Sequence, residues 1–552
     1  MKKFIKWVAI SILVISVLIT CFFLYVDSIF KNEARQYVYK KHTIQRVDAN
    51  TSRIGNNWLR KEQQGIHTLY IEGNPFERGL IAGQLTRELM YKQEKAFVDR
   101  LREIVPSSYY LNFLKYVISI FDLNLYKAIP GECKAEIYGV SLSASPSFSY
   151  IADNYERILN YHGAHDLGHM LNNMGMVGCT SFGIWNSKTA DGNLLLGRNF
   201  DFHVGDEFAK EKIVAFIRPD SGYFHAFVTW GGMMGAVSGM NEKGLTVTIN
   251  AANSDVVFKA ATPVSLVARQ ILQYAADIRE ATVIASKYDV FVSELFLIGS
   301  AADNKAVIIE KRPGSQVVYE AQGDYIISAN HFQSKQYGLS EKAVIQRNNT
   351  ASGDRYRRVN ECINSQKQFA PADIARILRD TLGVKGISIG LGNEKAINQL
   401  IGHHSIIFNP KELKFWVSTS PYQVGGFLCY DLNKISGSNG PSANAKSTFD
   451  SGYIAADSVF LKIAYPRCQK YREIKQRLIL RSATDDDVAM LISLNPDFFD
   501  AYEQAGDFYM SGKNFSRALT FYTRALNCVI PGETERSRIA KKIRICQGKN
   551  SR

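Results

Sequence analysis

Apolar positions along the chain change their period at about residue 180. Upstream, from 94 to 142, they recur at helical spacing with breaks at Pro106 and Pro130-Gly131, which predicts a mostly helical stretch. Its aromatic stripe, with Tyr109, Phe113 and Tyr116, reads as core. Before it, 31–64 is polar and charged with few apolar anchors, a tether and lead-in. Residues 65–73 read as a short strand with a turn, and Asn74-Pro75 opens a helix running through Leu89. Downstream the period falls toward two. An apolar-aromatic stretch at 181–185, turn residues at 187–193 (SKTADGN) and Leu194-Leu195-Leu196 predict a β-hairpin. Further strands are predicted over 213–217, 224–230, 235–240 and 245–251, then helices over 264–275 and 277–287. Strands resume at 293–298, 306–311, 316–320 and 325–329, with a late hairpin at 405–408 and 415–418. Strand runs, then helices, then strand runs suit an α+β domain of two packed sheets with helices outside.

At 552 residues the chain is long enough for two or three units, and 46% hydrophobic with 21% charged residues is a globular composition. The first thirty residues change the picture most. Lys2, Lys3 and Lys6 precede an uncharged, mostly apolar run that Trp7 opens and Val26 closes. As a helix that run is about 30 Å long, the thickness of a bilayer core. No small-x-small cleavage site follows it, so a signal anchor is expected, with the bulk of the protein on the extracytoplasmic side. The net charge of +14 carries no concentrated basic block, which favours a membrane surface over nucleic acid. Eight cysteines, none in a CxxC pair, predict no metal site; a bridge such as Cys528 with Cys546 stays open. His165, Asp166 and His169 (HDLGHM) lack a third ligand motif. No cofactor is expected.

The chemistry concentrates at Gly178-Cys179-Thr180-Ser181-Phe182-Gly183. The predicted hairpin begins at Cys179, and its second strand ends in a cation and a carboxylate, Arg198 and Asp201. A thiol needs a nearby positive charge or base to become thiolate at neutral pH. A buried core cysteine beside a surface Arg/Asp pair is the alternative that local pattern leaves open.

GCTSFGIW, GNLLLGRNFDF and then GMNEKGLTVTIN, ending in Asn250, resemble the isopenicillin N acyltransferase-like branch of the N-terminal nucleophile hydrolases. The related choloylglycine hydrolases share much of the pattern, and the resemblance runs over about 73–432. It implies a four-layer αββα sandwich and a precursor that cuts itself between Gly178 and Cys179, freeing Cys179 as N-terminal nucleophile. It further implies that Arg198 lowers the thiol pKa or holds substrate, that Asp201 orients the new ammonium, and that Asn250 and Asn330 steady an oxyanion. Arg355, within SGDRYRR, matches an arginine behind the nucleophile, although Arg357 and Arg358 compete for that assignment. The implied activity is that of an amidohydrolase or acyltransferase passing the acyl group of an N-acyl amide through a Cys179 thioester. A choloylglycine or penicillin V acylase-type hydrolase and a non-enzymatic envelope scaffold are the alternatives.

Domain limits follow: an anchor at 1–30, a mostly helical pro-segment or alpha chain at 31–178, the hydrolase core at 179–432, a linker at 433–483 centred on SGSNGPSANAKS, and a helical unit at 484–552. In the last unit Tyr502, Ala505, Gly506, Tyr509, Ala518, Tyr522 and Ala525 resemble one tetratricopeptide repeat, suited to a protein partner, to self-association or to a simple cap.

Overall fold

Lys212–Pro219 shows why the large sheet is internal. Its sequence KIVAFIRP does not alternate, so Val214 and Phe216 face one apolar cluster while Ile213, Ala215 and Ile217 face another. In the computed structural model the described residues are 36–39, 41–62, 65–104, 125–163, 166, 178–202, 205–252, 261–435 and 452–550, with isolated positions between 7 and 25.

The strands are β1 Gln45–Arg46, β2 Thr51–Ile54, β3 Asn57–Lys61, β4 Ile66–Gly73, β5 Thr180–Ile184, β6 Leu195–Phe200, β7 Lys212–Pro219, β8 His225–Thr229, β9 Ser238–Asn241 and β10 Leu245–Ala251. They continue with β11 Glu294–Ser300, β12 Lys305–Arg312, β13 Ser315–Glu320, β14 Tyr325–Ser328, β15 His404–Asn409, β16 Lys414–Ser418 and β17 Phe427–Asp431. The longer helices are α1 Pro75–Leu85, α2 Arg87–Ile104, α3 Gly131–Ser141, α4 Asn154–His162, α5 Val264–Tyr274, α6 Ile278–Lys287, α7 Glu341–Asn349, α8 Ala351–Asn364 and α9 Pro371–Leu378. After the sheets come α10 Ala464–Ile479, α11 Asp485–Leu494, α12 Phe499–Ser511, α13 Phe515–Leu526 and α14 Glu533–Asn550.

One sheet has the order β1-β2-β3-β4-β7-β8-β9-β10-β11-β12-β13, the other β14-β5-β6-β15-β16-β17. The apolar cluster between them takes Val214, Phe216, Leu297 and Ile308 from the first and Leu196, Ile406, Phe408 and Val417 from the second. Helices α1, α3 and α5 cover the outer face of the large sheet, and α8 and α9 cover that of the small one. The result is four layers, helix, sheet, sheet, helix.

Two stretches differ from the sequence expectation. Residues 31–64 are more than a tether, because β2 and β3 extend the large sheet at its edge. Their apolar residues are few, so Trp58 and Ile54 are buried beside polar Thr51 and Asn57 and leave no alternation to read. Within the expected linker 433–483, α10 and a short helix at Ser458–Lys462 are formed, and Tyr471 and Ile474 of α10 belong to the core of the C-terminal helices. Six of the seven repeat-like residues are buried together in that core, and the seventh, Gly506, packs against Tyr522.

Most of the run 7–26, the aromatic stripe near 109–116, and His165 and His169 lie outside the described residues. Among the described residues no helix is long and apolar enough to cross a membrane, and no group of acidic, histidine and cysteine side chains could hold a metal ion. The eight cysteines are free thiols. Cys528 Sγ lies 3.6 Å from the Arg524 carbonyl and Cys546 Sγ 4.0 Å from Met510 Sδ, so the Cys528–Cys546 bridge left open by the sequence is not formed.

Candidate active site

The hairpin expected after the cysteine is formed. β5 and β6 pair antiparallel from Thr180 opposite Asn199 to Ile184 opposite Leu195, with Ser181 opposite Arg198. This brings the end of β6 back to the start of β5, where Cys179 is fully buried. Arg198 Nη2 lies 3.7 Å from Cys179 Sγ. The guanidinium is held by three further partners: Ser238 Oγ in β9, the Ile249 carbonyl in β10, and the face of Phe200, 4.3 Å from its Cζ. Asp201 is buried beyond the strand end, where its carboxylate accepts from Gln399 Nε2 at 3.2 Å and Gln423 Nε2 at 3.5 Å.

Burial dominates the electrostatics. It pushes the Cys179 thiol up to about 11 against the opposing pull of Arg198, so the thiol is protonated at neutral pH. It also lifts the Asp201 carboxyl to about 7, although Arg355 and Arg198 both favour its charged form. Behind Arg198, Ser238 Oγ lies 2.9 Å from His404 Nε2, and His404 Nδ1 lies 3.0 Å from His403 Nδ1. Desolvation holds both imidazoles well below their ordinary range, so they are neutral.

On the other side of the cysteine, Arg355 decides between the three arginines of its cluster. Arg355 is buried in α8 and donates through Nη1 to the Cys179 carbonyl and, at 2.9 Å, to Thr180 Oγ1; its Nη2 donates to Asn330 Oδ1 at 2.7 Å. Arg357 instead pairs with Asp354 and Arg358 with Asp380, both away from Cys179. Asn330 Nδ2 donates to the Ala251 carbonyl at 2.9 Å. Asn250 accepts from Ser181 Oγ at 2.9 Å and donates to the Ser328 carbonyl at 2.9 Å. The two asparagines thus tie β10 to β5 and to the segment after β14, close to Cys179.

The Gly178–Cys179 peptide is fixed on both sides. Gly178 N donates to the Asp201 carbonyl at 3.0 Å, and Gly178 O accepts from Gln399 Nε2 at 2.7 Å. The glycine leaves room for Gln399: Gly178 has no positive φ, and a Cβ there would stand 2.7 Å from Gln399 Nε2, so the amide would have to shift off the Gly178 carbonyl. Gln399 carried no sequence signal, as it is a polar residue in an irregular loop between α9 and β15. Asp166, fully buried, accepts from the Val264 amide at 3.0 Å, and burial raises its carboxyl to about 8.

The fold and site define an α+β protein with a buried cysteine at a strand start, flanked by two guanidinium groups and a carboxyl. Residues 186–419 match the model of the acyl-coenzyme A:6-aminopenicillanic acid acyl-transferase family, a stretch that excludes Cys179 but includes Arg198, Asp201, Asn250, Asn330 and Arg355. An uncharacterized protein of Archaeoglobus fulgidus is 24% identical over 250 residues, 43% of this chain and 41% of its own length. The chain therefore spans about two fifths of the curated relative it matches. Among solved structures, the Caenorhabditis elegans ortholog of N-acylethanolamine-hydrolyzing acid amidase is 16% identical, with 42% of this chain and 93% of that one covered and a TM-score of 0.31. A mutant of the conjugated bile acid hydrolase from Clostridium perfringens is 15% identical, with 46% and 93% covered and a TM-score of 0.32. Penicillin V acylase from Agrobacterium tumefaciens is 17% identical, with 47% and 87% covered and a TM-score of 0.31. At such identities and scores the likeness carries no argument about chemistry.

Proposed function

We propose that this chain is a self-processing cysteine amidohydrolase or acyltransferase acting on N-acyl amides, with Gly178–Cys179 as the bond it cuts in itself and Cys179 as nucleophile. One observation carries the reading: the buried Gly178–Cys179 peptide is gripped by Asp201, Gln399 and Arg355, with the Cys179 sulfur against Arg198. The acyl-transferase family match over 186–419 supports the reaction class.

Before cleavage the thiol is buried and protonated, and Asp201, with a proton affinity near neutrality, is the group poised to carry the thiol proton to the departing amide nitrogen. Cleavage gives Cys179 a free α-amino group, whose unperturbed pKa of about 7.7–8.0 suits a base for its own thiol. Arg198 then stabilises the thiolate. A substrate acyl carbon bonds to Sγ, the amine leaves with a proton from the α-ammonium, and the thioester passes its acyl group to water or to an amine. Asn250 and Asn330 donate to the Ser328 and Ala251 carbonyls before cleavage; turned from either toward a developing oxyanion, such a donor is worth about 3 kcal/mol in a barrier of this type.

The test is acyl-enzyme capture. Processed protein mixed with a panel of N-acyl amides and quenched within seconds should carry an acyl mass on Cys179, released by hydroxylamine as the hydroxamate. A free Cys179 thiol after every member of the panel would contradict the reading.

Two further parts belong to the proposal. Residues 7–26 are read as a membrane anchor that keeps the enzyme at an extracytoplasmic membrane face; the support is the uncharged run behind three lysines and the exposed Trp7, Leu13 and Val17. Membrane fractions should retain the full chain through alkaline carbonate washing, and its release would contradict the anchor. The hairpin α12–α13 is read as one tetratricopeptide-type unit, supported by the close packing of Gly506 beneath Tyr522.

A further inference from the structure

We infer that Gln399 is the donor that holds and polarises the Gly178 carbonyl during self-cleavage, and that the C-terminal helices position it. The inference rests on the proposal that Gly178–Cys179 is the cleaved bond.

Attack of Cys179 Sγ on the Gly178 carbonyl carbon forms a C–S bond and moves negative charge onto Gly178 O. The C–N bond to Cys179 then breaks, the thiol proton ends on the Cys179 nitrogen, and water hydrolyses the resulting thioester to a Gly178 carboxylate and a free thiol. Charge therefore develops on the atom that Gln399 Nε2 already touches at 2.7 Å, in a site without exposure to solvent. The same nitrogen donates to Asp201 Oδ2 at 3.2 Å, so the two amide hydrogens of Gln399 link the scissile carbonyl to the carboxyl poised as proton carrier. The side chain fills the place that a Cβ on Gly178 would take, which makes glycine before the cysteine and glutamine at 399 one complementary pair.

The loop that presents Gln399 has no regular structure of its own and is pinned from two sides. From within, Asn199 of β6 donates to the Ile397 carbonyl at 3.0 Å. From without, the C-terminal helices hold it. Asn495 donates to the Leu391 carbonyl and accepts from the Leu391 amide, both at 2.9 Å, and Arg472 of α10 donates to the Leu400 carbonyl at 2.6 Å. Phe498 packs on Gly390, whose φ of 83° and lack of a side chain admit the ring; a Cβ there would lie 2.4 Å from Phe498 Cβ. Ile397 and Leu400 thus bracket Gln399, one fixed by the nucleophile hairpin and the other by the C-terminal unit. This gives the helices beyond 464 a role within the chain: they set the loop against which the chain cuts itself.

The test follows self-cleavage of the full chain by denaturing gel and N-terminal sequencing, in the wild type, Cys179→Ala, Gln399→Ala, Gln399→Glu and Asn495→Ala. Loss of one oxyanion donor predicts cleavage slowed about 10²- to 10³-fold in Gln399→Ala. Gln399→Glu keeps the volume but cannot donate when ionised, and should be slowed as much even if the alanine variant fails to fold. Hydroxylamine, which intercepts a thioester, should not restore the rate in either variant, because the step lost is thioester formation. Asn495→Ala should slow cleavage by a smaller factor. Wild-type rates in folded Gln399 variants, or rescue by hydroxylamine, would overturn the role of Gln399, and a wild-type rate in Asn495→Ala would overturn the positioning role of the helices. A wild-type chain that is never cut would instead remove the proposal on which the inference stands.

Discussion

The described parts of the chain before and after Gly178 build the same domain in different ways. The later part supplies the small sheet, the centre of the large one and nearly all of the apolar cluster between them. The earlier part wraps the outside, placing β1–β4 at one edge of the large sheet and α1–α4 on its outer face. The two meet along β4 and β7, the parallel pair among the described strands, in register from Ile66 opposite Lys212 to Gly73 opposite Pro219. They also meet through buried charge. Glu136 of α3 accepts from Arg78 of α1 at 3.1 Å and lies 3.7 Å from Arg269 of α5, on the other side of Gly178 in the chain. The earlier part is a structural layer of the domain, as the alpha chain of a processed protein is, so the proposed self-cleavage would leave two interlocked chains and release neither.

The sharpest way to break that partnership is Glu136→Ala. It leaves two buried guanidinium groups without their shared carboxylate and should cost about 3–5 kcal/mol in denaturant unfolding, with the two chains separating early. Unchanged stability would mean that the outer layer is held by strand pairing alone. Next in size is Arg355→Lys. A lysine cannot span the Cys179 carbonyl, Thr180 Oγ1 and Asn330 Oδ1 at once, so self-cleavage should slow at least tenfold while the melting temperature moves little.

A smaller, pH-dependent effect comes from Asp201. Burial raises its folded pKa to about 7 from an ordinary value near 3.8, so between these pH values the folded state binds the extra proton. Stability contributed by this group is full below about pH 4 and is lost as pH rises through 7. Asp201→Asn should flatten that part of the curve, read as unfolding free energy against pH. The smallest effect belongs to the exposed pair Lys95–Asp99 on α2. Lys95→Gln should change stability by about 0.5 kcal/mol or less, in contrast to the buried pairs of the same segment.

What the sequence made legible followed local pattern. The β5–β6 hairpin has its turn chemistry and β-prone flanks in one window, and β7 to β14 carry apolar runs punctuated by Pro/Gly/Asn turns, so their limits were readable to within about three residues. Cys179, Arg198 and Asp201 lie on that hairpin and are brought together by it. The rest depended on contacts far apart in the chain. β2 and β3 are mostly polar strands near the sheet edge, β3 paired with β4 and β2 with β3, and α10 is read as linker until its buried face at Tyr471 and Ile474 meets the other C-terminal helices. Arg355 could be separated from Arg357 and Arg358 only by the direction each takes from α8. Gln399 lies 221 residues from the carbonyl it contacts, in a loop whose shape is set by the C-terminal unit.

The chemistry proposed for Cys179 requires that the chain cut itself before that residue. The most direct measurement is intact mass with N-terminal sequencing of the purified full chain beside Cys179→Ala. Two co-purifying chains are expected in the wild type, one beginning at Cys179, and a single uncut chain in the variant. One uncut chain in both samples, or the same cut in both, would contradict that chemistry.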